Sequence, residues 1–307
     1  MRLGTRVVHC YEHTDPYGAV APPIYLSTPF RFTEPGAGAV SDRGFDVKYS
    51  REENPTVRLL ERCIALLKGT EDALAFTSGM AAISTALIAS LEPGSKVVVP
   101  MGMYSTMLQL LNELASRIGV RVVRVRPSAE AIAEAVDREV SLVLTEVMTN
   151  PTLKLIDLEE LQHTLPLDRV LLIVNNTFTT PVLVQPARYG ASLVIRSTTK
   201  YLSGHNDAVG GAVACSSERA KLLWEWRRML GTIQPPFESY LVLRGMKTLE
   251  VRFERQSRSA LAVAEFLLEH SRVEEVMYPG LRSGPNHDTA SRLFGRGLYG
   301  AILGLRC

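Results

Sequence analysis

The chain carries almost no excess charge: 34 Lys and Arg stand against 32 Asp and Glu, a formal +2 over 307 residues. With no net field and no block of like charge, it offers no electrostatic footprint for nucleic acid or an anionic membrane surface, so small molecules are the expected partners. Long hydrophobic runs are missing too. The apolar stretches around Lys96 to Val99 and Val170 to Val174 fall far short of a bilayer span, and no charged segment followed by an apolar one opens the sequence. No membrane association is expected, and the cytoplasm is the expected location. Cysteine is scarce and scattered. Cys10, Cys63, Cys215 and Cys307 form no C-x-x-C pair and have no histidine cluster at zinc spacing, so no metal is expected and all four read as thiols in a reducing compartment.

What is present describes a globular α/β protein. Hydrophobic residues make up 46% and charged residues 21%, which is too apolar for disorder, and the length suffices for one large domain or two ordinary ones. Short β-branched runs alternate with stretches of helical period, the pattern of a mostly parallel sheet with helices on both faces. The spacing predicts strands over 73–76, 96–100, 121–125, 142–146, 170–174, 193–196 and 211–215. Helices are predicted over 55–67, 80–90, 104–118, 129–136, 158–164 and 218–230, with Ser128 capping one of them. Residues 1–55 read as an N-terminal arm rich in Pro, Gly and aromatics, residues 56–240 as a large domain, and 241–307 as a partial C-terminal α/β domain. The last of these opens on a long helical pattern over 237–270.

In an open parallel sheet, ligands bind beyond the carboxyl ends of the strands, so the residues just after each strand are the candidates for chemistry. Those loops carry Glu146 with Thr149-Asn150-Pro151, Asn175-Asn176-Thr177, and Ser197-Thr198-Thr199-Lys200. Thr77-Ser78-Gly79-Met80 stands between a strand and a helix N-terminus, where unpaired amides and the helix dipole favour an anion. Lys200 is one of only seven lysines, and it follows a strand amid hydroxyls and glycines. A lysine in a pocket can act as an amine nucleophile toward a carbonyl. A solvated loop lysine is the plain alternative; likewise Tyr104 also reads as a core aromatic, Arg51 as a surface ion-pair partner and Asn150 as a turn residue before proline. An amine, a phosphate cradle and an aromatic plate such as Tyr104 together describe a pyridoxal phosphate site.

Several ordered motifs resemble the fold type I Cys/Met metabolism enzymes that use pyridoxal 5'-phosphate. They are Gly18-Ala19-Val20-Ala21-Pro22-Pro23-Ile24-Tyr25, Tyr49-Ser50-Arg51, Asn54-Pro55-Thr56, Thr77-Ser78-Gly79-Met80-Ala81-Ala82, Ser197-Thr198-Thr199-Lys200-Tyr201-Leu202-Ser203-Gly204-His205, Leu243-Arg244-Gly245-Met246-Lys247 and Tyr278-Pro279-Gly280-Leu281. The resemblance covers essentially the whole chain and implies a fold type I transferase-like architecture. It implies that Lys200 holds the cofactor as a Schiff base and moves protons on the substrate. Gly79, Met80, Ser197 and Thr199 would bind the phosphate, and Tyr104 would stack on the ring and assist proton transfer. Asn150, Asn175 and Thr177 would lie at the cofactor ring. Tyr49 and Arg51 would reach the phosphate of a neighbouring subunit, so a homodimer or homotetramer is expected.

Two departures from the family pattern bear on activity. Where the family has Asp-Asn-Thr-Phe, this chain has Asn175-Asn176-Thr177-Phe178. The family aspartate pairs with the protonated ring nitrogen, and an amide cannot answer that proton by charge. The resemblance also stops within the C-terminal domain, so no residue is nominated for the substrate carboxylate. In addition, Thr106 stands where methionine γ-lyases tend to have cysteine, which disfavours methionine elimination. The expected function is a transsulfuration-type lyase or transferase acting on sulfur amino acids or O-acylhomoserine by γ-replacement or elimination. The alternative is a cofactor-binding remnant acting as a non-enzymatic oligomerising protein.

Overall fold

The computed structural model describes residues 3–10, 17–31 and 39–307. In chain order the elements are α1 (Leu3–Val8), α2 (Pro55–Lys68), β1 (Asp72–Phe76), α3 (Gly79–Ser90), β2 (Lys96–Pro100), α4 (Ser105–Ile118) and β3 (Arg121–Val125). Then come α5 (Ala129–Glu134), β4 (Val140–Glu146), α6 (Leu158–Thr164), β5 (Leu171–Asn175), α7 (Thr180–Leu183), a 3-10 turn (Pro186–Tyr189), β6 (Leu193–Ser197) and β7 (Gly211–Cys215). The chain continues through α8 (Ser217–Leu230), α9 (Pro236–Met246), α10 (Leu249–Leu268), β8 (Glu275–Met277), α11 (His287–Phe294) and β9 (Gly304–Arg306).

Seven strands form one sheet in the order β1-β7-β6-β5-β4-β2-β3. The pairs β2/β3, β2/β4 and β4/β5 are parallel, while β1 runs antiparallel to β7. Both β1 and β7 are buried at every position, as strands covered on both faces must be, which is why the sequence shows apolar runs over 73–76 and 211–215. At the opposite edge β3 is half exposed, with Arg121 and Arg124 at its exposed positions. No helix among the described residues is long and apolar enough to cross a membrane.

Two compact units divide the chain, one formed by Met1–Ala89 with Ile195–Leu249 and the other by Ser90–Val194 with Glu250–Cys307. In the first, α2 is the organising helix. Asn54 caps it by accepting from the Thr56 and Val57 amides at 3.0 and 3.4 Å, Pro55 opens its first turn, and Gly69 ends it in the left-handed conformation at φ 67°. Val57, Leu60, Ile64 and Leu67 are buried in the core of this unit.

A charged network lies under the same helix. The buried Arg43 guanidinium reaches Asp72 at 2.7 Å, Glu61 at 2.8 Å and Glu53 at 3.3 Å, and Arg58 meets Asp72 at 2.6 Å. Glu61 also accepts from the Ala75 amide at 2.9 Å and pairs with the buried Arg227. These arginines hold the Glu61 carboxyl below its ordinary range against the opposing effect of burial. Nearby, Phe45 stacks on Trp224 at 3.9 Å, and the Trp224 indole donates to the Glu52 carbonyl at 3.0 Å. Together these contacts fix the segment that carries Tyr49 and Arg51.

In the second unit, α5 and α6 are capped by Ser128, which accepts from the Ala131 amide at 3.2 Å, and by Asp157, which accepts from Glu159 and Glu160. At its carboxyl end β8 pairs antiparallel with β9, and Ala260, Ala264, Tyr278 and Leu281 form a small core. The Tyr278 hydroxyl donates to the Gly300 carbonyl at 2.9 Å.

Two expectations are corrected. The helical pattern over 237–270 forms two helices, because the Gly245 carbonyl accepts from both the amide and the hydroxyl of Thr248 at 3.3 Å and ends α9 there. The four cysteines are not all free thiols. Cys10 and Cys63 form a disulfide with their Cα atoms 4.9 Å apart, linking the segment after α1 to the buried face of α2. Of the other two, Cys307 is exposed, and Cys215 is buried with its thiol pushed up to about 12 by desolvation, which makes it inert.

The network yields a stability prediction. Glu61→Ala strands Arg227 as a buried cation and should cost about 3–5 kcal/mol. A shift in the urea midpoint measures it, and an unchanged midpoint would contradict the assignment.

Candidate active site

In the first unit, the turn between β1 and α3 is built to face an anion. Ser78 caps α3: its hydroxyl oxygen accepts from the Ala81 amide at 3.0 Å and its carbonyl accepts from the Ala82 amide at 3.1 Å. The Gly79 and Met80 amides, first in the helix, have no intrahelical acceptor and lie at the positive end of the dipole. A Cβ on Gly79 would stand 2.9 Å from the Ser197 Cβ, and one on Gly211 would collide with the Ser78 carbonyl and come 2.8 Å from the Gly79 Cα. Only glycine permits this approach. The turn is thereby pressed against the end of β6, bringing Gly79, Ser197 and Gly211 together.

The strand-end loop after β6 is ordered by its own backbone. The Thr199 hydroxyl accepts from the Gly210 amide at 2.9 Å and lies 3.2 Å from the Gly210 carbonyl, and the Ser197 hydroxyl lies 3.5 Å from that same carbonyl. Lys200 follows, and its carbonyl accepts from the Gly204 amide at 2.8 Å. Its side chain is exposed, and its amine makes no hydrogen bond or ion pair among the described residues. Tyr49 and Arg51 are also exposed and lie against one another, with the guanidinium 5.5 Å from the ring centroid and donating to the Arg228 carbonyl at 2.7 Å.

The second unit assembles a different group. Glu146 ends β4, Asn175 ends β5, and the two stand opposite each other in the parallel register. The Asn175 Nδ2 donates to Glu146 Oε1 at 2.8 Å, and Glu146 Oε2 accepts from the Tyr104 amide at 3.1 Å. The Asn175 Oδ1 accepts from the Thr177 amide at 3.2 Å and the Thr177 hydroxyl at 2.7 Å. Tyr104 is thus anchored through its backbone at the start of α4 while the residue as a whole is 38% exposed. Asn150 precedes a cis peptide to Pro151 and donates its amide to the Gly102 carbonyl at 3.1 Å, tying its loop to the segment before Tyr104.

Burial raises the Glu146 carboxyl from the ordinary 4.5 to about 8, against the lowering effect of its two N–H donors. The sequence placed Glu146 in a strand-end loop but gave it no role. Its lateral pairing with Asn175 depends on strand order, which the run of residues along one strand does not show.

These residues fit a phosphorylated aldehyde cofactor. The glycine-lined turn has amides to offer a phosphate, and Lys200 has an unengaged amine to offer an aldehyde. With a mostly parallel α/β sheet behind them, they define a pyridoxal-phosphate-dependent enzyme. The chain belongs to the family of Cys/Met metabolism PLP-dependent enzymes, whose model matches residues 4–305. It is 40% identical over 302 residues to a cystathionine gamma-synthase of Mycobacterium bovis, covering 97% of this chain and 76% of that one. An L-methionine gamma-lyase of Fusobacterium nucleatum is 37% identical over 300 residues, covering 94% and 75%. Among solved structures, cystathionine gamma synthase of Xanthomonas oryzae pv. oryzae in complex with cystathionine matches at a TM-score of 0.93 and 35% identity, over 99% of this chain and 78% of that one.

Glu146 gives a pH prediction. Its folded-state value of about 8 lies above the ordinary 4.5, so over that interval the folded protein keeps a proton that the unfolded chain releases. Stability should therefore fall as pH rises through this window and level off above it. Urea midpoints across the window should show the slope reduced in Glu146→Gln, and parallel profiles for the two proteins would contradict the assignment.

Proposed function

We propose that the protein catalyses γ-replacement on an activated homoserine, joining the thiol of cysteine to the γ-carbon as the γ-substituent leaves with its bonding electrons. The observation that carries this reading is the unengaged Lys200 amine immediately after β6, in the unit that holds the glycine-lined turn at Gly79. The cystathionine gamma-synthase of Mycobacterium bovis supports replacement over elimination, as does Thr106 at the position where methionine γ-lyases tend to have cysteine.

The Gly79 and Met80 amides, with the Ser197 and Thr199 hydroxyls, bind the cofactor phosphate. Pyridoxal phosphate supplies a ring that takes up the electron pair left at the substrate α-carbon. Lys200 Nζ accepts the α-proton and returns a proton later, a role suited to an amine that nothing among the described residues engages. By the family resemblance, Tyr104 would stack on the cofactor ring and assist proton transfer, and Asn150, Asn175 and Thr177 would lie at the ring. Tyr49 and Arg51 serve the site of a neighbouring copy, so the working form is a homodimer or homotetramer in the cytoplasm. The relatives compared are enzymes, which does not favour a non-enzymatic remnant.

Visible absorption tests the reading. Protein given pyridoxal phosphate should develop a band that Lys200→Ala lacks and that shifts on adding O-acetylhomoserine, with cystathionine formed once cysteine is present. A band that ignores every amino acid would overturn the activity, and no band at all would overturn the cofactor.

A further inference from the structure

The N-terminal arm is held to α2 at two places and by different means. Near the start of the helix the hold is by hydrogen bonds: the Tyr25 amide donates to the Thr56 hydroxyl oxygen at 2.9 Å, that hydroxyl donates to the Pro23 carbonyl at 3.0 Å, and the Asn54 side-chain amide donates to the Tyr25 carbonyl at 2.8 Å. The other hold is covalent. Cys10 is bonded to Cys63, which lies about 12 Å further along the helix than Pro55.

α1 depends on that bond. It is six residues long, too short to be a stable helix by itself. Of its described side chains only Val7 is buried, and among the described residues no ion pair or side-chain hydrogen bond joins it to the rest of the fold. Burying one valine does not offset the conformational entropy lost in fixing the backbone of residues 3–10. The disulfide makes up the difference by keeping the two segments within reach of each other. Its two ends are unequally placed: Cys63 is 0% exposed, while Cys10 is 8% exposed and sits on the segment that can lift away.

We propose that Cys10 and Cys63 form a redox switch that docks α1 on α2 when oxidised and releases it when reduced. A low-molecular-weight disulfide is the oxidant. The Cys10 thiolate attacks it, forming a mixed disulfide and expelling one small thiolate; the Cys63 thiolate then attacks the Cys10 sulfur, closing the protein bond and expelling the second. Two cysteine thiols lose two electrons and two protons in all, and the small disulfide becomes two thiols. A small thiol reverses the sequence, entering at the Cys10 sulfur because Cys63 is covered. In the reducing cytoplasm proposed for this protein the released arm is the resting state, and a rise in small disulfides docks it. Cys215 takes no part, since it is buried within β7.

Alkylation and mass spectrometry of the whole chain test this. After treatment with oxidised glutathione and unfolding in urea without reductant, iodoacetamide should label Cys215 and Cys307 and spare Cys10 and Cys63. Labelling of all four would overturn the bond and the proposal with it. In folded protein treated with dithiothreitol, Cys10 and Cys63 should be labelled along with Cys307 while Cys215 stays unlabelled. The amides of residues 5–10 should then lose the hydrogen-exchange protection they have in the oxidised protein. Cys10→Ser without reductant should reproduce the reduced pattern, with Cys63 labelled in the folded state. A folded, reduced protein in which Cys63 stays unlabelled and those amides stay protected would overturn the switch. Returning oxidised glutathione to the reduced protein should restore the first pattern, and failure to do so would contradict the exchange step.

Discussion

The close approach of Gly79 to the end of β6 and of Gly211 to the Ser78 carbonyl is the constraint on which the proposed phosphate site depends. Backbone meets backbone there so closely that no Cβ fits at Gly211, and one at Gly79 would crowd Ser197. Because α3 starts at that contact, its first amides and its dipole are aimed where a strand-end loop also delivers Ser197, Thr199 and Lys200. Sheet geometry and helix capping thus supply an anion site with very little contributed by charged side chains. That accords with a protein whose net charge is close to zero and whose proposed cofactor lysine is one of seven.

A second layer of order comes from buried ions. Arg43 and Arg227 converge on Glu61, with Asp72 and Glu53 beside them, in a setting that water does not screen. Such networks add little net stability over an apolar core, but removing one member is costly, so they specify a single arrangement. Here the arrangement is that of the segment before α2. The Pro29 bridge at Tyr49 and the Arg228 carbonyl at Arg51 hold the same segment from outside the network.

Much of this was legible in the sequence. All seven strands of the main sheet fall where β-branched runs predicted them, since strands buried on both faces leave a strong local trace. The cap at Ser128 and the turn at Gly79 are local as well, and local chemistry can be read residue by residue. What was not legible depends on contacts far apart in the chain. Cys10 and Cys63 are separated by 53 residues and share no motif. The break after Met246 depends on a hydroxyl turning back on a carbonyl. Glu146 and Asn175 become partners only once β4 and β5 lie side by side. Asn175 itself was visible as a departure from the family pattern, but only its bonds to Thr177 and Glu146 show how its amide is held.

The account stands or falls on Lys200 as the point of cofactor attachment. The most direct measurement is borohydride reduction of the protein loaded with pyridoxal phosphate, followed by mass spectrometry of its peptides. The account predicts one modified peptide, the one containing Lys200, with unphosphorylated pyridoxal attaching far more weakly because the turn at Gly79 then has nothing to hold. Attachment spread over the other lysines, or equal attachment of the two aldehydes at Lys200, would contradict it.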